Sequence, residues 1–515
     1  MVHWLTLGCL NTVMQSRSKR FVAGMVTGYG LMAFNIAYTM LSIPLALRYL
    51  GKEEFGLWAL AQQVAGYLML LELGMSTAVS RFLADFKDDV NGGHYGSLLL
   101  TGTIVFAIQG LLIALCGVGA SLIAPELLSV PIELRPAFRD VLAVLSLVSG
   151  ASLAVRTVSA PLWAFNRVDI INIFGISTLI SNFITLWIGF HHHWGVYSFA
   201  FAGIPALFLS TVVAGWFCSA HAYYPRAGSW GRPQFTEFWR LFAFGKDYIL
   251  MVLGSNLVNA TQVMLISRLS GLEAAATFAV ATKLYAVGQQ LVSKVLDSCS
   301  PALTELYVRK ELTRFNQRYW EIVALAMLLA TVCACGLAFG NRAFISIWVG
   351  TSIEWSLACD GLLALLVVAT AVTRCMTMMF GPLGDLRPVR SIYLVEGVVF
   401  VALAIPSLSS FGMTGLLGAS VGTHLLVTGS MSVRAAAGFL NSMNPLKTLV
   451  LVSLLSVLVT MVVAFALQPA KLSPLQLLAL TPLVVIGVGA VGFRLMIPRN
   501  LYAEIFALVT RRLKS

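Results

Sequence analysis

Lys283, Gln290, Lys294 and Asp297 stand inside an otherwise apolar stretch, residues 272–299. At 100° per residue they fall within about 60° of one another on a helix. A charge on a membrane-spanning helix costs about 3 kcal/mol or more unless it finds a partner or water. The stripe therefore predicts a face turned to a wet cavity inside a helix bundle. Lys294 and Asp297, three residues apart, can instead neutralise each other. Lys283, about 11 residues from the outer end and so near mid-membrane, has no carboxylate close in sequence. Four more charges interrupt apolar stretches, all in the cytoplasmic half: Glu72, Arg156, Arg374 and Glu396. Their chemistry is either anion binding by the cations or ion pairing, with Glu72–Arg156 and Arg374–Glu396 as the pairs that depth suggests. His424 reads as a proton site or, more simply, as a hydrogen-bonded packing residue.

The elements that must position these groups are membrane helices. Of 515 residues, 58% are hydrophobic and 11% charged, and the mean hydropathy is +0.85. Soluble domains carry about 25% charged residues, so an all-α integral membrane protein is expected. Windows of about 20 apolar residues predict about fourteen spanning helices, the first at 21–47 and the last at 475–496. Two of them, 55–80 and 272–299, carry Glu72 and the central stripe.

Lysines and arginines set the expected orientation. Connections after odd-numbered helices hold only Arg48, Lys52, Arg135, Arg139, Arg268, Arg342 and Lys471, while most of the 34 lie at the termini and after even-numbered helices. The positive-inside rule then puts both termini in the cytoplasm. The net charge of +12 is thus a topology signal, which removes nucleic acid as a partner. No phosphate-binding Gly-x-x-x-x-Gly-Lys motif occurs. The eight cysteines show no metal spacing and read as small core residues. His191-His192-His193 lacks the acid or cysteine that a metal site wants, so neither metal nor cofactor is expected.

The expected organisation is an N-terminal cytoplasmic segment (1–20), an N-lobe of helices 1–6 (21–222), a cytoplasmic linker rich in Pro, Gly and Arg (223–240), a C-lobe of helices 7–12 (241–440), helices 13–14 (441–497), and a cytoplasmic amphipathic tail (498–515). Met14, ahead of Gln-Ser-Arg-Ser-Lys-Arg, is an alternative start to Met1. Shifting the chain by about 220 residues places Arg48, Gly51 and Glu53 on Arg268, Gly271 and Glu273, and Arg156 nearly on Arg374. Two six-helix repeats of like topology imply a pseudo-two-fold axis along the membrane normal.

Arg48-Tyr-Leu-Gly-Lys-Glu-Glu-Phe-Gly-Leu-Trp-Ala-Leu60 resembles the first outer loop and second helix of bacterial polysaccharide flippases of the O-antigen type. These belong to the multidrug/oligosaccharidyl-lipid/polysaccharide export superfamily. The turns Ala164-Phe-Asn-Arg167 and Gly384-Asp-Leu-Arg387 are similar to the family's as well. The resemblance implies two lobes that open alternately to each side of the bacterial inner membrane. It also implies an undecaprenyl-pyrophosphate-linked oligosaccharide as substrate, as in O-antigen and lipopolysaccharide assembly, with other membrane proteins of polysaccharide assembly as partners. Lys283, Arg156, Arg374, Lys294 and Gln290 would then meet the pyrophosphate, since guanidinium donates paired hydrogen bonds to phosphate oxygens. Glu72, Asp297 and Glu396 would be cavity acids or ion-pair partners. The alternative within the superfamily is a cation-coupled multidrug exporter, whose usual acid in helix 1 is absent between Phe21 and Leu47, where Asn35 is the notable polar group. A membrane-embedded glycan polymerase or ligase would need a larger outer loop than this chain has.

Overall fold

In a computed structural model the described residues are 2–350, 353–380, 387–440, 442–467 and 472–498. The Gly384–Asp385–Leu386 turn and the amphipathic tail from 499 onward lie outside them. The chain forms two compact units, residues 1–249 and 250–515.

The first unit contains α1 (Val2–Tyr49), α2 (Lys52–Leu68), a 3-10 turn (Met69–Glu72), α3 (Met75–Asp85), α4 (His94–Leu127), α5 (Arg135–Ala154), a 3-10 turn (Arg156–Val158), α6 (Ala160–Ala164), α7 (Val168–His191), α8 (Tyr197–Ala220) and the start of α9 (Phe235–Ser270). The second continues α9 and adds α10 (Leu272–Ala281), α11 (Lys283–Val308), α12 (Leu312–Trp348), α13 (Leu357–Met378), α14 (Arg387–Thr423), a π-helical segment (His424–Gly429), α15 (Ser430–Ala437), α16 (Asn444–Ala466) and α17 (Pro474–Met496).

Eleven helices among the described residues are long and apolar enough to cross a membrane. The longest, Arg387–Ala437, carries two predicted windows in one run. They are separated at Gly412, whose φ of 61° and ψ of −146° break the helical path and suit only glycine. The windows at 55–80 and 272–299 are not among the eleven because both are interrupted: α2 ends after 17 residues, and α10 holds only 10 before the charged α11 begins. Span 2 breaks at Met69–Glu72, where Leu73 and Gly74 turn left-handed (φ 57° and 67°). Span 8 breaks at Thr282, which leaves the helix with ψ near 4° before α11 begins. Each break strands backbone carbonyls that lipid cannot satisfy. In each, a carboxamide from the next long helix steps in: Gln109 of α4 donates Nε2–H to the Glu72 carbonyl at 3.0 Å, and Asn341 of α12 donates to the Ala281 carbonyl at 3.2 Å.

Close helix contact holds each unit. In the first, Gly110 of α4 faces Gly150 of α5, and a Cβ on either would strike the other's carbonyl. Small residues of this kind let backbones approach where lipid supplies no hydrophobic drive between helices. In the second, α12 is central, packed against α11, α13, α16 and α17. α17 opens with a capping box in which Ser473 and Gln476 exchange backbone bonds ahead of Pro474.

The predicted linker is a fastened strap at its start and helix at its end. The Tyr224 hydroxyl donates to the Val158 carbonyl at 2.7 Å, Ser97 donates to the Arg232 carbonyl at 2.5 Å, and the Gln234 N–H donates to Thr101 at 3.1 Å. Burial of Tyr224 pushes its phenol well above the usual tyrosine range. From Phe235 the chain is already α9, with Arg240 stacked over the Phe82 ring at 4.2 Å. Gly56 lies inside α2 and is buried.

Candidate functional site

The break in span 2 and a second break, the 3-10 turn after α5, meet in the first unit. Glu72 ends the 3-10 turn after α2, and Arg156 begins the one after α5. Arg156 Nη1 donates to Glu72 Oε2 at 2.9 Å and to Ser76 Oγ at 3.0 Å. The side chains are 37% and 19% exposed, so the pair is held at a wall and not sealed in a core. Nε and Nη2 of Arg156 make no bond to any described residue. Arg156 borders a cavity of about 490 Å³ lined also by Ser76, Thr77, Ser80, Ser159 and Trp163. Thr77 and Ser80 likewise make no hydrogen bond to a described residue. The site thus offers an anchored guanidinium with a free donor edge, beside unengaged hydroxyls.

The second unit has its own cavity, about 430 Å³, between α9, α11, α13 and α14. Arg374 lines it and donates Nη2–H to Asp297 Oδ1 at 2.8 Å. Glu396 lines it too, but its partner is His424, with Oε1 and Nδ1 2.6 Å apart and both side chains buried. The expected Arg374–Glu396 pair is therefore replaced by two others. Asp297 takes the arginine, and Glu396 pairs with the histidine. The π-helical segment that begins at His424 lets that ring enter; such widened turns are common at functional sites. His424 Nε2 is buried without a hydrogen-bond partner among the described residues.

From the break and α11 this cavity takes Thr282, Tyr285, Gln289 and Ser293. Lys283, Gln290 and Lys294 are not in its lining; at 100° per residue their stripe lies roughly 100° around the helix. Lys283 is the first residue of α11, half-buried, and forms no ion pair with a described residue. Gln289 donates to the Tyr285 hydroxyl at 3.2 Å and to Thr370. This second stripe is legible in the sequence as polar residues every three or four positions, and it carries no charge. Ser76 and the hydroxyls around it carried no sequence signal beyond their proximity to Glu72.

Arg167, in the turn after α6, holds Asp169 through two bonds of 3.0 Å and lies over Phe217 at 5.2 Å. His191 and His192 stack against Trp187 and Trp194 at 5.9 and 6.4 Å.

A family described as "Polysaccharide biosynthesis protein" matches residues 27–307, more than half of the chain. The chain belongs to that family. Its fold is shared by solved transporters. The inward-facing form of a multidrug resistance MATE family transporter of the MOP superfamily aligns with TM-score 0.66 at 12% identity, over 79% of this chain and 95% of the other. A MOP superfamily transporter from Pyrococcus furiosus, reported with a reversed polarity of its binding pocket, aligns with TM-score 0.64 at 13% identity, over 82% and 94%. A MATE transporter from Vibrio cholerae gives 0.59 at 13% identity, over 83% and 98%. No curated protein matches significantly. This member of the polysaccharide biosynthesis family is accordingly an all-α, multi-pass membrane protein with the fold of the MOP transporters.

Proposed function

We propose that this polysaccharide biosynthesis protein is a flippase. Its substrate is an undecaprenyl-pyrophosphate-linked oligosaccharide, moved from the cytoplasmic to the periplasmic leaflet by alternating access, with both termini in the cytoplasm. The observation that carries the reading is Arg156. A pyrophosphate crossing a membrane must shed its hydration, and that penalty is met only by charge-assisted hydrogen bonds. Arg156 has one nitrogen fixed by Glu72 and Ser76 and lines a space that Thr77, Ser80 and Ser159 line with it. Such an arrangement suits an oxyanion and the sugar hydroxyls beside it. Arg374 lines the cavity of the second unit as a further guanidinium, and Lys283, with Gln290 and Lys294 on its face, supplies further cationic contact. A cation-coupled drug exporter is disfavoured by the same chemistry: the acids Glu72, Asp297 and Glu396 are each engaged by a basic side chain.

The direct test uses proteoliposomes of known orientation loaded with a fluorescent polyprenyl-pyrophosphate oligosaccharide. Protein-dependent transfer to the opposite leaflet, measured by dithionite protection, supports the proposal. Transfer equal to empty vesicles, together with altered drug susceptibility on deletion and intact surface glycan, would overturn it.

A further inference from the structure

The break in span 8 is held by side chains that come from outside it. In an unbroken helix the Ala281 carbonyl would accept from the N–H of Tyr285, four residues on. Here one helix ends at Ala281 and the next starts at Lys283, and Asn341 Nδ2 donates to that carbonyl at 3.2 Å. The other hydrogen of the same nitrogen goes to Asp360 Oδ1 at 2.7 Å. Asp360 Oδ1 also accepts from the Trp355 indole N–H at 2.8 Å, and Arg342 Nε lies 3.8 Å from Oδ2. Asn341 and Asp360 are each 1% exposed.

This carboxylate sets the direction of the amide. Asn341 Oδ1 is buried without a hydrogen-bond partner among the described residues, so its own oxygen does not orient the group. Turned over, the amide would place that oxygen against a carboxylate and a carbonyl. A buried charge is retained only where its oxygens are satisfied, and bonds to an ionised acceptor are the stronger kind. Asp360, steadied by Trp355 and Arg342, therefore keeps the Asn341 N–H groups on the break. Two residues beyond the braced carbonyl stands Lys283, the first residue of α11, which forms no ion pair with a described residue.

We propose that Asn341 and Asp360 are positioning residues for Lys283. They fix the break at Ala281, and the break fixes where α11 begins and so the direction in which the lysine leaves the helix. Without the brace, the Tyr285 N–H can reclaim the Ala281 carbonyl, since a backbone carbonyl at this depth must find a donor. The helix then closes through Thr282 and carries Lys283 to a new direction. This rests on the reading of Lys283 as a pyrophosphate contact and adds the residues that aim it.

The test titrates inorganic pyrophosphate calorimetrically into the full chain in nanodiscs of zwitterionic lipid, beside thermal unfolding. Asn341→Leu removes both N–H donors. It should weaken binding about tenfold, the equivalent of one net hydrogen bond. Asp360→Asn keeps an acceptor of lower strength and should lose less. The decisive readout is the double-mutant cycle with Lys283→Ala. In that background Asn341→Leu should weaken binding no further, because the group it aims is gone. A purely structural residue would lose the same factor in both backgrounds, and that result would overturn the proposal. Parent-like binding by both Asn341→Leu and Asp360→Asn would overturn it too, and in either case the flippase reading stands. Should Asn341→Leu fail to fold, the same cycle is run with Asp360→Asn. If Lys283→Ala alone binds pyrophosphate as the parent does, the reading of Lys283 fails first and the positioning proposal with it.

Discussion

Replacing Glu72 and Arg156 together, as Glu72→Gln with Arg156→Gln, separates a scaffold from a binding group. Arg156→Gln alone leaves Glu72 charged, four-fifths covered and stripped of its cation. Solvent-exposed pairs contribute about 0.2–1 kcal/mol, whereas breaking a buried pair costs about 3–5 kcal/mol. With exposures of 37% and 19% for the two side chains, the single variant is expected to lose about 2 kcal/mol, an intermediate value. In the double variant two neutral amides can still hydrogen-bond, so stability should return to within about 1 kcal/mol of the parent. Function should not return with it. Two charge-assisted bonds to pyrophosphate contribute about 1.5–3 kcal/mol each, and a loss of about 3 kcal/mol is roughly a hundredfold. The assays are thermal unfolding in nanodiscs and leaflet transfer at matched protein abundance and limiting substrate. A double variant that unfolds at the parent temperature and flips at the parent rate would show that Arg156 only braces the break in span 2.

Arg374→Gln with Asp297→Asn repeats the logic in the second unit. Because those side chains are 46% and 60% exposed, stability should change by less than about 1 kcal/mol; a large unfolding shift would mean the pair is structural. Lys283→Ala should abolish surface glycan while the protein still inserts at normal abundance, and Lys283→Arg should keep part of the activity. Full surface glycan in the alanine variant would remove Lys283 from the substrate path.

The apolar windows were legible because burial in lipid acts on about 20 residues at once. The breaks inside two of them were not. Span 8 breaks at Ala281-Thr282-Lys283 without glycine or proline, and the Asn341 amide that satisfies the Ala281 carbonyl comes from 60 residues away. Span 2 carries Gly74 as its one local mark, beside an ordinary leucine forced to φ 57°. Depth counting put Glu72 near Arg156, and the two do meet. It gave Arg374 the wrong partner because depth does not report which face of α14 turns toward His424. The sequence repeat aligned Arg156 with Arg374, yet one sits in a 3-10 turn and the other within regular α13. Residue identity was carried across the repeat more faithfully than backbone shape.

The carboxamides that cap the two breaks, and the arginine that pairs with Glu72, all lie downstream of what they satisfy. During synthesis the ribosome delivers span 2 before α4 with Gln109, and well before the residue 84 positions beyond Glu72 that neutralises it. At about 5–20 residues per second, Glu72 waits roughly 4–17 s for Arg156. In that interval span 2 has no reason to be broken, and an uninterrupted helix is the form in which all its backbone bonds are internal. The kink is then a late event in biogenesis, imposed on a finished span by helices that arrive after it.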